Sequence, residues 1–227
     1  MFDKNRHKII MIKILKEIYA DMDLGKLLGF KGGTMAFLFY DLPRMSVDLD
    51  FDLLKKTDEN FVLERLEKIL LKFGKVTEKI IKKHTLLLVL DYGFGERKLK
   101  IEVSRKKTNT KFVVMDYLGI AILVMNRDGM VAGKLLALVD RKKFANRDVF
   151  DTWFFLKNDW SVDEGVLLDK SGLSKEEVLK KAMERVEKIK DNEILFGLGD
   201  LLDNKQKEWA KRNLKKETLF NLRLRLE

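Results

Sequence analysis

No cysteine occurs among the 227 residues. Disulfides, thiolate-ligated zinc and a catalytic thiol are therefore excluded. Histidine is almost as scarce, with only His7 and His84. A two-histidine metal centre or a Ser-His-Asp triad has little to draw on, and His84, just before the apolar run TLLLVL, reads as structural. There is one proline, Pro43, and one glutamine, Gln206. Missing cysteine and scarce glutamine beside abundant lysine and glutamate hint at a thermophilic source. The longest apolar run, LGIAILVM, falls well short of the roughly 20 residues of a membrane span. MFDKNRHKIIMIKIL carries charges where a signal peptide would be apolar. A soluble, cytoplasmic protein with no membrane partner is expected. Neither GxxxxGK[ST] nor GxGxxG occurs, so a P-loop NTPase and a dinucleotide-binding fold are not supported.

What is present is charge. Lys plus Arg number 46 and Asp plus Glu 36, a formal net charge of +10. Such a balance favours polyanionic partners but does not specify a fold. The basic residues run along the whole chain, so a general solubilising role fits them as well as a nucleic-acid footprint. The length suits one or two domains with a sizeable core.

Against that positive background, SVDLDFDLL stands out. Val47, Leu49, Phe51 and Leu53 alternate with Ser46, Asp48, Asp50 and Asp52, the period of a half-buried strand. It follows KGGTMAFLFYDL, a glycine pair (Gly32, Gly33) and an apolar helix starting at Thr34. Before these, KNRHKIIMIKILKEIYA places Ile10, Ile14 and Ile18 on one helical face, with Met11 and Leu15 beside them. After these, ENFVLERLEKILLKF reads as an amphipathic helix. KVTEKIIKKHTLLLVLDYG reads as one strand or a bent pair. GERKLKIEVSRK reads as a second alternating strand, with Leu99, Ile101 and Val103 against Lys98, Lys100, Glu102 and Ser104. From about Arg127 the periodicity turns helical, through RDGMVAGKLLALVDR, RDVFDTWFFLKND, SVDEGVLLDKSG, SKEEVLKKAMERVEKIK and DNKQKEWAKRNLKKETLFNLRLRL. Ser161 with Glu164 and Ser174 with Glu177 have capping-box spacing. The expectation is an α+β chain: residues 1–125 form a mixed sheet flanked by helices, and residues 126–227 a helical bundle.

Carboxylates on one strand face repel each other unless solvated or bridged by cations. A solvent-facing strand is the plain reading. If the strand bearing Glu102 lies beside the first, however, Asp48, Asp50 and Glu102 converge. Such a set can hold the two divalent ions of phosphoryl or nucleotidyl transfer, and oxygen ligands favour magnesium or manganese. Gly32 and Gly33 let backbone approach a phosphate at the positive end of the following helix. Asp91, in LVLDYG, is the rival third acid. Lys134 and Arg141, seven apart, would share a helix face. Arg147 and Asp151 have i,i+4 spacing and can simply pair, worth about 0.3–0.5 kcal/mol. Trp153, Phe154 and Phe155 read as core.

The ordered set Lys31-Gly32-Gly33-Thr34, then Arg44-x-Ser46-x-Asp48-x-Asp50, resembles the opening motif of the nucleotidyltransferase superfamily that includes DNA polymerase beta. More narrowly it resembles the AbiEii/AbiGii toxin family of toxin–antitoxin and phage-defence systems, whose longer gap between glycines and aspartates it shares. KLKIEVSRK is similar to the family's second motif. GKLLALVDRKKFANRDVFDTWFFL is similar to its third and fourth, carried by Lys134, Arg141, Arg147, Asp148 and Asp151. The resemblance implies a magnesium-dependent nucleotidyltransferase fold. Asp48, Asp50 and Glu102 would be metal ligands. Lys31, Gly32, Gly33, Thr34, Arg44 and Ser46 would be nucleotide-binding. Lys134 and Arg141 would contact the triphosphate, with Asp148 orienting them or helping activate the acceptor. It further implies a nucleoside triphosphate substrate, an RNA acceptor such as tRNA, and a cognate antitoxin. Two alternatives remain: transfer to a protein or small molecule, and a non-catalytic nucleotide- or RNA-binding module.

Overall fold

The computed structural model describes residues 3–93, 97–106, 109–141 and 144–227. Residues 95 and 96, which open the expected GERKLKIEVSRK strand, lie outside these. The chain forms two compact units. The first comprises residues 1–41, 45–108 and 112–125. The second comprises residues 42–44, 109–111 and 126–227.

The first unit opens with α1 (Lys4–Ala20) and the short α2 (Met22–Gly25), continues through β1 (Leu28–Lys31) and α3 (Gly32–Phe39), and reaches the acidic strand β2 (Leu49–Leu53). Then come α4 (Glu59–Leu70), β3 (Lys75–Lys82), β4 (Thr85–Asp91), β5 (Leu99–Ser104), β6 (Phe112–Tyr117) and β7 (Ile120–Met125). The seven strands form one mixed sheet in the order β3-β4-β5-β2-β1-β7-β6. β2 runs parallel to β5, and β1 parallel to β7; the other pairs are antiparallel.

The alternation sorts the two sheet faces. Leu28, Phe30, Leu49, Phe51, Leu88 and Ile101 are fully buried on one face. α1 packs at β7 and against α4, and α4 covers β3 and β4. α1 contributes Met11, Ile14, Leu15 and Ile18, as its periodicity predicts, while Ile10 is only half buried. β3 is an edge strand, and the lysines along it (Lys75, Lys79, Lys82) blunt its unpaired backbone.

The second unit is helical: α5 (Arg127–Asp140), α6 (Asn146–Lys157), α7 (Glu164–Ser171), α8 (Lys175–Glu187), α9 (Asn204–Trp209) and α10 (Lys215–Leu224). α5 packs on α6, α7 and α8, and α10 closes against α6 and α8. One wide turn at Ala210–Leu214 keeps α9 and α10 in a single helical run. Trp153 is buried, its ring 4.2 Å from that of Trp209, and its indole N–H donates to Glu217 at 2.7 Å. Phe155 is also core, whereas Phe154 is half buried.

Some local expectations change. The capping box at Ser174 and Glu177 forms, but Ser161 and Glu164 do not make one. Asp163 caps α7 instead, accepting from Val166 N–H, because it stands immediately before the first helical residue. A second capping box, Asp203 with Gln206, starts α9. The KVTEKIIKKHTLLLVLDYG stretch is a full hairpin, and His84 sits exposed in its turn.

Candidate active site

The register of β2 assembles the acids. Asp50 pairs directly with Glu102 on the parallel strand β5, so their side chains leave the same sheet face on strands about 4.8 Å apart. Asp48 lies two residues earlier, and the buried–exposed alternation runs back through it. Asp91 ends β4, four residues along from Leu87, the register partner of Glu102. That is roughly 13 Å of strand. Asp91 is occupied locally, its carboxylate accepting from Gly93 N–H at 3.0 Å. Glu102, not Asp91, is level with Asp50.

Asp52 behaves differently from its neighbours. It is 2% exposed and takes the Lys31 ammonium as its partner. Lys31 lies opposite Asp50 in β1, and its long side chain reaches diagonally to Asp52. The site lysine expected from the motif is thus committed to the one aspartate that the acidic cluster does not use. The second Asp52 oxygen, Oδ2, is buried with no hydrogen-bond partner among the described residues.

α3 begins at Gly32, two residues before the expected start. Gly32 has φ +82°, and a Cβ built there would lie 2.6 Å from Asp50 Oδ2. Only glycine fits both the left-handed backbone and this close approach. Gly33 and Thr34 follow as buried helical residues. The Thr34 hydroxyl donates to the Asp48 carbonyl and lies 2.9 Å from the Ser46 hydroxyl. Both residues are buried, so they brace the approach to the acidic strand.

A histidine missed by the sequence reading completes that brace. His7 on α1 is fully buried, and its Nε2 donates to the Val47 carbonyl at 2.9 Å. Nδ1 then accepts from the Tyr92 hydroxyl at 2.6 Å. The tautomer follows from these partners. Burial holds the His7 pKa below its ordinary 6.5, against the opposing pull of the Val47 carbonyl.

The second unit gathers the basic motif residues. The Lys134 ammonium lies 2.8 Å from both Asp148 Oδ1 and Asp151 Oδ2. Arg44 grips Asp151 with two prongs, Nε to Oδ1 at 2.5 Å and Nη2 to Oδ2 at 2.7 Å. Arg44 and Asp151 are both buried. Burial disfavours each charge here. Asp148 and Asp151 nonetheless raise the Lys134 pKa above its ordinary value, while Arg44 and Lys134 hold Asp151 below its own. Asp151 therefore pairs with Arg44 and Lys134, not with Arg147 as the i,i+4 spacing suggests. Arg141 lies past the end of α5 with an extended backbone, so no common helix face joins it to Lys134. What links them is Asp148, whose Oδ2 lies 3.2 Å from Arg141 Nη1. Arg44, expected at the nucleotide, is 4% exposed and spent on Asp151.

The all-oxygen donor set of Asp48, Asp50 and Glu102 suits a hard divalent cation. Among the described residues no three acidic or histidine side chains are drawn close enough to hold an ion as they stand. Rotamer changes at Asp48, Asp50 and Glu102 would be needed for the three carboxylates to meet at one ion. Among the described residues, no helix is long and apolar enough to cross a membrane.

Solved structures share the fold. A protein known as JHP933 from Helicobacter pylori aligns with a TM-score of 0.63 at 19% identity, covering 98% of this chain and 91% of that one. A further solved structure, described as a candidate nucleotidyltransferase from Helicobacter pylori, aligns with a TM-score of 0.61 at 20% identity, covering 97% of this chain and 93% of that one. No curated protein matches significantly. The family described as nucleotidyl transferase AbiEii toxin, type IV toxin–antitoxin system, matches residues 13–217. That span takes in every motif from the glycine pair to Asp151, and the chain belongs to the AbiEii nucleotidyltransferase toxin family.

Proposed function

We propose that the protein transfers a nucleoside monophosphate from a nucleoside triphosphate to a hydroxyl of an RNA acceptor such as tRNA, using magnesium or manganese. The observation that carries this reading is the direct register of Asp50 with Glu102, with Asp48 two residues upstream. Asp48, Asp50 and Glu102 would hold such ions, which when bound would acidify the attacking hydroxyl and offset the charge of the triphosphate and departing pyrophosphate. Gly32 leaves room for Asp50 beside the first turn of α3, whose N–H groups favour negative charge. Thr34 and His7 fix the carbonyls of Asp48 and Val47, which sets the angle at which the acids project. Lys134 and Arg141 supply positive charge to the nucleotide's phosphates, and Asp148 orients both. Arg44 and Asp151 hold Lys134 in place. The net charge of +10 favours an RNA acceptor over a neutral small molecule. A cognate antitoxin, expected for the family, limits the activity in the cell.

The test is label transfer. The protein is incubated with magnesium, each of four α-labelled nucleoside triphosphates and total tRNA, beside an Asp48→Asn/Asp50→Asn control. Label on RNA that disappears in the control is the expected result. Label on protein would replace RNA by a protein acceptor. Absence of transfer from folded protein to any acceptor supplied would favour a binding module.

A further inference from the structure

At the far end of β2 the first unit contains a separate cavity of about 480 Å³. Its walls come from the loop after β2 (Leu53 to Thr57), Glu59 at the start of α4, Lys83 in the β3–β4 turn, and Arg105 just past β5. Leu54 lies four residues beyond Asp50, roughly 13 Å along the strand. The cavity is thus distinct from the acidic face.

Its charge is one-sided. Among the described residues Glu59 is its only acid, and Arg105 neutralises it in an ion pair. Arg105 also donates to the Lys82 carbonyl at 2.7 Å, and its backbone N–H donates to the His84 carbonyl at 2.9 Å. Arg105 therefore fastens the β3–β4 turn to the end of β5 and sets the position of Lys83. Lys55, Lys56 and Lys83 are exposed, and among the described residues none has an acidic partner. Three unneutralised ammonium groups around one concavity repel each other unless an anion lies between them.

We infer that this cavity binds the phosphate backbone of the RNA acceptor, a few nucleotides away from the hydroxyl that reacts. The inference rests on the transferase reading for the identity of the acceptor. The lining selects phosphates over bases. Among the described residues it has no aromatic ring to stack a base. Its one carboxylate, which could accept from a base edge, is already taken by Arg105. Ammonium groups contact phosphates without reading sequence. A free nucleotide is less well served, since its base would find only the aliphatic Leu53 and Leu54 and no ring to stack on.

The experiment is equilibrium binding of a fluorescent single-stranded RNA oligonucleotide across a salt series, without divalent ions or triphosphate. It compares the protein with its Lys55→Gln/Lys56→Gln/Lys83→Gln variant. Three lost phosphate contacts at about 0.7 each should flatten the slope of log K against log salt by about 2. Affinity near 0.1 M salt should fall roughly ten- to a hundredfold. Thermal melting should coincide for the two proteins, since all three side chains are exposed. Binding of labelled ATP should be unchanged. An unaltered salt slope overturns the inference. So does lost ATP binding with an intact RNA slope, which would assign the cavity to a free nucleotide. Label transfer to RNA, run in parallel, separates the two readings. A flattened slope without transfer keeps the cavity and rejects the chemistry. Transfer with an unaltered slope does the reverse.

Discussion

Replacing Gly32 by alanine should damage the protein in two separable ways. The first is backbone strain. At φ +82° an L-residue pays about 1–2 kcal/mol for the left-handed conformation. For a chain of this size each kcal/mol lowers the melting temperature by about 2–4 °C, so a fall of about 2–8 °C is expected. The second is displacement. The new Cβ would meet Asp50 Oδ2 at 2.6 Å, whereas ordinary contact begins at 3.4 Å, so the carboxylate must retreat by 0.8 Å or more. Misplacement of about 1 Å in a catalytic group can cost roughly a hundredfold in rate, and transfer should fall by that order. The assays are thermal melting and label transfer, with Gly133→Ala as the contrast. Gly133 is exposed inside α5 with nothing within 4 Å of its virtual Cβ, so alanine there should stabilise by up to about 1 kcal/mol. A double variant, Gly32→Ala/Asp50→Ala, removes the clash but keeps the strain, so its stability loss should be less than the sum of the single losses. Full transfer by Gly32→Ala, together with additive losses in the double variant, would refute the claim that Gly32 exists to admit Asp50.

Other outcomes follow from the same geometry. Arg44→Ala leaves buried Asp151 with Lys134 alone and should cost about 3–5 kcal/mol in urea unfolding. Arg44→Lys should recover little, because the two-pronged grip is lost. His7 is held neutral by burial, so the unfolded chain binds the proton more readily. Its contribution is fully present above pH 6.5 and is lost as pH falls below that value toward its lowered folded pKa. Melting temperature should therefore drop more steeply as pH falls below about 6.5 in the protein than in His7→Gln. Glu102→Gln should abolish label transfer while Asp91→Asn preserves most of it; the opposite result would exchange their roles.

The parts of this fold that could be read beforehand are those set by local chemistry. Leu49 and Phe51 alternate with aspartates of poor strand propensity, and burial of the apolar pair decides the matter. Ser174 and Glu177 are near enough in sequence for their capping box to be legible. The rest depends on partners far along the chain. Asp52 shares the period of Asp50, yet it is buried because Lys31 reaches it from β1, a strand of four residues that is too short to show a period. Arg44 finds Asp151 107 positions away, which no spacing rule reaches. His7 became visible only once α1 lay beside the chain at Val47. The β6–β7 hairpin escaped because its turn places Leu118 at φ +54° before Gly119 at φ +77°. A leucine is an unusual occupant of that position, and the expected Asn-Gly signal is absent.

The three residues Leu42–Arg44 belong with the helical unit although the chain on either side of them belongs with the sheet. Arg44 is held there by Asp151, and the Pro43 carbonyl by Gln206, the single proline thus meeting the single glutamine. A gene cut after codon 125 would deliver a sheet unit whose stretch just ahead of the acidic strand had lost Asp151 from Arg44 and Gln206 from Pro43. The halves are consequently poor material for modular exchange. Recombination between relatives at this boundary would have to import Arg44 and Asp151 together, and the lineage should inherit the two units as one block.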